Sequence, residues 1–230
     1  QGFRAPTPLV VDRPQHQGWE QPPNYHTQEL RLSSQVTQGL QTLAREHSLT
    51  LATLIQGAWA LLLSRYSGES EVVFGVTVSG RSGNLSGIQE MVGLFINTLP
   101  LRVSVPRDKP LLDWLEQLQQ TQINLQEYSY IPLADIQQLS QVQAPIALFE
   151  SIVVFENYPV DQSLRQSNHA LTVTDVEVFE QTNYPLTVLI LAEAELLIKL
   201  SYDRSRFDAD TIARMAGHLQ TILDAIAANP

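Results

Sequence analysis

The chain has 230 residues, no cysteine and a formal net charge of −10, a length that suits one large domain or one compact lobe with an extended leader. The missing cysteines exclude a disulfide framework, a cysteine nucleophile and a zinc–thiolate site. The acidic balance, with no cluster of Lys and Arg, excludes a nucleic-acid partner held by phosphate contacts. No apolar run reaches the roughly 18 to 20 residues that span a bilayer, and the start has neither the charge nor the apolar core of a signal peptide, so the expectation is a soluble, cytoplasmic chain with no membrane partner.

Pro6, Pro8, Pro14, Pro22 and Pro23 fall in a Gln-rich polar setting. Each fixes φ and removes a backbone donor, so residues 1–25 read as an extended leader or linker. Residues 26–32 alternate as a short strand. Ser33 or Ser34 then offers an N-cap for a helix carrying Val36, Leu40, Leu43 and Ala44 up to His47. Thr50 can cap a second helix, with Leu51, Leu54, Ile55, Ala58, Leu61 and Leu62 in period and Ser67-Gly68 ending it. Its other face holds Ala52, Trp59 and Leu63. A helix apolar on most sides belongs in the middle of a fold.

EVVFGVTV (71–78) is short and β-branched, the profile of a buried strand. A Gly, Ser and Asn loop follows, and LPLRVSV (99–105) is a second extended stretch. The segment 106–110 breaks it before an amphipathic helix from Leu111 to about Tyr128, whose Gln117, Gln119, Gln120 and Gln122 are expected to be solvated. Residues 132–139 allow a short helix, and 151–155 read as a buried strand. Residues 171–179 alternate as another, and 186–192 with 196–202 form a hairpin across a turn near Glu193 and Glu195, acids expected to be solvated. A final helix starts at Asp208 or Asp210 and carries Ile212, Met215, Ala216, Leu219, Ile222, Leu223 and Ile226. Interspersed strands and helices give an α/β or α+β class, a mixed sheet covered by helices.

Three stretches carry more than periodicity: VTVSGR (76–81), VGLFINTLPLR (92–102) and LFESIVVFENYP (148–159). Read alone, SGRSGN is a turn, Gly80 permits close backbone approach, Arg81 suits a structural ion pair, and Asn97 caps or bridges backbone at a strand start. The sequence has no Ser, His and Asp set at hydrolase spacing, no metal motif and no phosphate-binding glycine loop.

Together the three stretches resemble the C-terminal lobe of a condensation domain of nonribosomal peptide synthetases, a family similar to chloramphenicol acetyltransferase. Such domains have two related lobes around a tunnel where two phosphopantetheine arms meet. The resemblance puts the family's GxFVNT-type motif on Gly93, Phe95, Ile96, Asn97 and Thr98, with Ile96 in place of valine. It implies a substrate tunnel wall formed by Ser79, Gly80, Arg81, Gly93, Phe95, Asn97 and Thr98, with Asn97 able to hold a thioester carbonyl or pantetheine amide and Arg81 able to meet a pantetheine phosphate. Tyr128 and Tyr130, in EYSYIPLADIQ, stand where the family often has histidines. YDRSRFD (202–208) recurs before the last helix, with Tyr202 and Phe207 buried and Asp203 capping or pairing with an arginine.

The family's HHxxxDG motif has no match, and His16, His26, His47, His169 and His218 are isolated from one another. The resemblance therefore implies an interlobe linker over residues 1–25, a C-terminal lobe over 26–230, no catalytic residue and no metal in this chain. It also implies no covalently bound cofactor, phosphopantetheine arms as substrates, and as partners the N-terminal lobe, peptidyl carrier proteins and an adjacent adenylation domain. Alone, such a lobe is expected to be inactive. A non-catalytic carrier-docking or assembly module is the alternative.

Overall fold

The computed structural model describes residues 4–9, 24–81, 86–156, 182–192 and 195–228. Within them the strands are β1 (Tyr25–Arg31), β2 (Glu71–Val78), β3 (Asn97–Ser104), β4 (Ser151–Glu156), β5 (Leu186–Leu191) and β6 (Leu197–Asp203). The helices are α1 (Ser34–Glu46), α2 (Leu51–Ser67), α3 (Leu111–Gln126), α4 (Leu133–Leu139) and α5 (Ala209–Ala228). The strands form one mixed sheet in the order β1-β6-β5-β4-β2-β3. β4 runs parallel to β2 and β5, and the remaining pairs are antiparallel.

Strand alternation decides what each face meets. Phe74 and Val76 of β2, Leu99 and Leu101 of β3, Val188 and Ile190 of β5 and Leu200 of β6 point to the helices and join the main core. The opposite face of β2 and β4 carries Val73 and Ile152, covered by Val142, Leu148 and Phe149. Gly75 lies on that second face, where a Cβ would come within 2.4 Å of the Phe149 ring. Only a hydrogen fits there.

α2 sits in the middle, as its all-round apolar character requires. Thr50 caps it by accepting from the Thr53 amide at 3.0 Å, and Gly68 ends it in the left-handed region at φ 76°. Trp59 is fully buried, with its Nε1 donating to Ser151 Oγ at 3.4 Å. α1 is capped by Ser33, whose side chain accepts from the Val36 amide. No single helix among the described residues is long and apolar enough to cross a membrane.

Two expectations about polar surface are corrected. Gln119 and Gln122 are half-buried: Gln119 accepts from the Thr50 amide at 2.7 Å and donates to the Ser48 carbonyl at 2.8 Å, while Gln122 donates to Gln56 Oε1 at 2.6 Å and accepts from Thr53 Oγ1 at 2.7 Å. α3 packs across the turn between α1 and α2, and the backbone groups there need partners that glutamine is long enough to supply. Gln117 and Gln120 are exposed, as expected. Glu195 is not merely solvated either, since it accepts from Ser34 Oγ at 2.8 Å and ties the β5–β6 turn to the start of α1. A carboxylate there also suits the positive end of the helix.

Residues 4–9 have no regular structure, as their prolines dictate, yet they pack on the sheet. Thr7 and Leu9 are buried, and Thr7 Oγ1 accepts from the Val73 amide at 2.6 Å. Near the end of the sheet, Tyr202 and Phe207 are buried. Asp203 caps a turn by accepting from the Ser205 amide at 2.8 Å, while Arg206 pairs with Glu150 at 2.7 Å. The expected strand at 171–179, most of the leader, His16, His169, Asn157, Glu193 and residues 82–85 lie outside the described residues.

Candidate functional site

The last pair of the β2–β3 ladder is Val78 with Asn97. Antiparallel neighbours can be joined by a two-residue turn, but here the chain leaves at Ser79 and returns only at Asn97. Connections of this length, unneeded by the topology, are usually either functional or linker segments. Ser79, Gly80, Arg81, Gly93, Phe95, Asn97 and Thr98 are all gathered at this end of the hairpin.

Gly80 adopts φ +65°, a region open to glycine, and a Cβ on it would stand 1.7 Å from the Phe95 carbonyl oxygen. The backbone of residues 79–81 thus lies directly against that of Phe95. Arg81 closes the contact. Its Nη1 donates to the Ile88 carbonyl at 2.6 Å and the Met91 carbonyl at 3.0 Å, and its guanidinium lies 4.4 Å from the centre of the Phe95 ring. Gln89 returns a bond to the Arg81 carbonyl at 3.1 Å. Among the described residues Arg81 clasps carbonyls and an aromatic face, where the sequence read alone suited it to an ion pair with an acid.

Asn97 spends its side chain on the protein. Nδ2 donates to the carbonyls of Ser129 at 2.9 Å and Ile131 at 2.7 Å, and Oδ1 accepts from the Thr98 amide at 2.9 Å. Bridging backbone at a strand start is therefore the role that its contacts display. Its partners were not legible in the sequence, because a backbone carbonyl leaves no residue signature. Ser129 is buried, while Tyr128 and Tyr130 on either side are exposed.

Beyond the clasp, the loop exposes its apolar side chains. Val92 and Ile96 are exposed, and Leu94 reaches 89% exposure. Ser79 is exposed, Gly93 is exposed beside the Phe95 ring, and Thr98 is half-buried opposite Thr77. The cluster thus offers hydroxyl and apolar contacts but no histidine. His26 lies on β1, at the sheet edge opposite β3. His47 ends α1, and His218 meets the Tyr66 hydroxyl at 2.9 Å on α5. Among the described residues no group of three or more His, Cys, Asp or Glu could hold a metal ion. Such an arrangement can bind and orient a ligand, and it has no evident acid–base pair.

A family model described as a condensation domain matches residues 6–230. The chain is 44% identical over 230 residues to the chondramide synthase cmdD of Chondromyces crocatus, covering 100% of this chain and 6% of that protein. Among solved structures, the condensation domain from the Monacolin K polyketide synthase MokA superposes with a TM-score of 0.75 at 19% identity, over 100% of this chain and 55% of that one. The first condensation domain of the calcium-dependent antibiotic synthetase, in complex with a substrate analogue, gives a TM-score of 0.73 at 19% identity, over 97% and 50%. The chain thus spans a small fraction of that curated relative and about half of these two solved chains. The shared fold is the chloramphenicol acetyltransferase-like one, a mixed sheet covered by helices.

Proposed function

This chain belongs to the condensation domain family, and we propose that it is the carboxyl-terminal lobe of such a domain, forming one wall of the tunnel in which carrier-bound acyl groups are joined. The observation that carries the reading is coverage: nearly all of this chain superposes on half of a solved condensation domain. The absence of HHxxxDG from the sequence agrees with it. In the complete domain the amine of an acceptor aminoacyl thioester attacks the donor thioester carbonyl. The C–N bond forms, the C–S bond breaks, and the amine's proton leaves with the released thiol. Proximity of the two tethered reactants supplies much of the acceleration.

The partners in this reading are the amino-terminal lobe, peptidyl carrier proteins whose phosphopantetheine arms carry the substrates, and an adenylation domain of the same cytoplasmic synthetase. Ser79, Gly80, Arg81, Gly93, Phe95, Asn97 and Thr98 line or shape the wall. The test is amide formation followed by mass spectrometry, using donor and acceptor carrier thioesters with this chain alone and then with the amino-terminal lobe added. Product only in the mixture is expected. Product from the chain alone would overturn the half-domain reading. The exposed side chains of Val92 and Leu94 also favour a second reading, a non-catalytic docking or assembly module, which binding of the lobe without product would support.

A further inference from the structure

β2 and β4 are inner strands of the sheet, yet their ladder holds only two pairs, Gly75 with Ile152 and Val76 with Val153, against eight between β2 and β3 and six between β4 and β5. Alternation fixes which groups face the shortfall. The Ser70 carbonyl accepts from the Val105 amide across the β2–β3 hairpin, and the Val73 amide turns to Thr7 instead of β3, so the odd-numbered residues of β2 aim their backbone groups at β4. The next bond of this parallel ladder would run from the Phe155 amide to the Thr77 carbonyl and pair Thr77 with Val154. No such pair forms, and neither group has another backbone partner among the described residues.

The strands therefore part over their last residues, and exposure follows: Thr77 and Val78 of β2 and Val154, Phe155 and Glu156 of β4 are half-buried, although each strand has neighbours on both sides. The wedge opens at the carboxyl ends of two parallel strands, and from there the chain leaves β2 for β3 on one side and β4 for β5 on the other. A reversal of that kind leaves a crevice, which is where open α/β sheets bind their ligands. Ser79 follows β2 directly, so the crevice joins the cluster around Asn97.

We propose that this crevice binds an extended chain carrying amide groups through main-chain bonds: the Phe155 N–H donates to a carbonyl of the ligand, and the Thr77 carbonyl accepts from an amide N–H of it. Pantetheine and a peptidyl chain share that chemistry. Naming them as sources rests on the condensation reading, whereas the crevice rests on the ladder. The walls are Thr77 and Val154 on the second face of the sheet and Val78 and Phe155 on the helix side. Apart from one hydroxyl they are apolar, so the main-chain pair supplies the orientation and the walls exclude water.

The test follows the backbone amide resonances of the isotope-labelled chain while pantetheine and, separately, acetyl-dialanine methylamide are added. Binding with a Kd of about 1 mM is expected, since a tethered arm reaches such concentrations without high affinity, with the Phe155 amide shifting downfield and its hydrogen exchange slowing. Val154→Phe adds bulk at the mouth and is expected to weaken binding about tenfold, while Gln120→Phe, exposed on α3, leaves it unchanged. The wild-type resonances decide the matter even if Val154→Phe does not fold. A response at Phe155 to pantetheine alone assigns the crevice to the carrier arm, and one to the peptide alone assigns it to the acyl chain. Shifts confined to residues 86–98, or none at Phe155 with either probe up to about 10 mM, overturn the proposal and leave the condensation reading to the amide-formation assay. A shift at Phe155 with no amide formed by the two-lobe mixture supports the crevice and overturns that reading.

Discussion

Asn97 and Ile131 are joined by a 2.7 Å hydrogen bond from Nδ2 to the carbonyl, and with the parallel bond to Ser129 this amide fixes the segment after α3 against the start of β3. The residue that the family motif marks thus bridges backbone segments in this structure. Asn97→Asp keeps the acceptor for the Thr98 amide, but it places a carboxylate against two carbonyls. It is expected to cost about 1–3 kcal/mol, the range for leaving buried polar groups unsatisfied. Denaturant unfolding checks the cost, and hydrogen exchange at 128–131 checks its location. Loss of amide formation in an Asn97 variant would then need that exchange record before being assigned to substrate contact.

Gly80→Ala asks the backbone to separate from Phe95, because the nearest atom to a new Cβ is a carbonyl oxygen and not the end of a flexible side chain. The positive φ adds strain of about 1 kcal/mol or more. The expected result is a loop that moves away from Arg81, with exchange raised over 86–96 and a lower thermal midpoint. Gly68→Ala supplies the comparison: it also has positive φ, but nothing lies within 4 Å of its Cβ position, so it should show the strain without the displacement.

The fold was legible wherever period and punctuation agreed. The Thr50 cap, Gly68 stop and apolar surface of α2 all sit in the sequence, and the observed helix follows them. At the site, only the residues that converge could be named, not what they touch. Asn97, Arg81 and Gly80 all act on backbone carbonyls, at residues 129 and 131, at 88 and 91, and at 95, and a carbonyl is the same atom whatever the side chain. The glutamines of α3 failed for a related reason. Helical position gave their direction, but the unsatisfied Ser48 carbonyl and Thr50 amide that they serve belong to a turn more than sixty residues away in the chain.

Those glutamines supply a third prediction. Gln119→Ala removes partners from the Thr50 amide and Ser48 carbonyl together, and is expected to lower stability by about 1–2 kcal/mol. Gln120→Ala, whose side chain is exposed and bonded only within α3 to Asn124, should stay within about 0.5 kcal/mol of wild type. Chemical denaturation of both variants separates the outcomes, and equal effects would mean that the turn finds water as readily as glutamine.

Tyr184 stacks on Phe149, with ring centroids 5.2 Å apart and planes 24° from parallel, beside the small core on the second face of the sheet. Burial raises its phenol above the usual value of 10.0, because the ionised form loses hydration there. A folded-state pKa raised above the unfolded one means that the native chain keeps its proton where the unfolded chain has released it. The contribution to stability is therefore complete below about pH 10 and is lost as pH climbs through the folded value. Tyr184→Phe keeps the stacked ring and removes the titration. Stability measured by denaturant from pH 8 to 11 should fall less steeply at the alkaline end in the variant than in the wild type. Parallel curves would place the phenol in water on the native chain and remove burial as the cause.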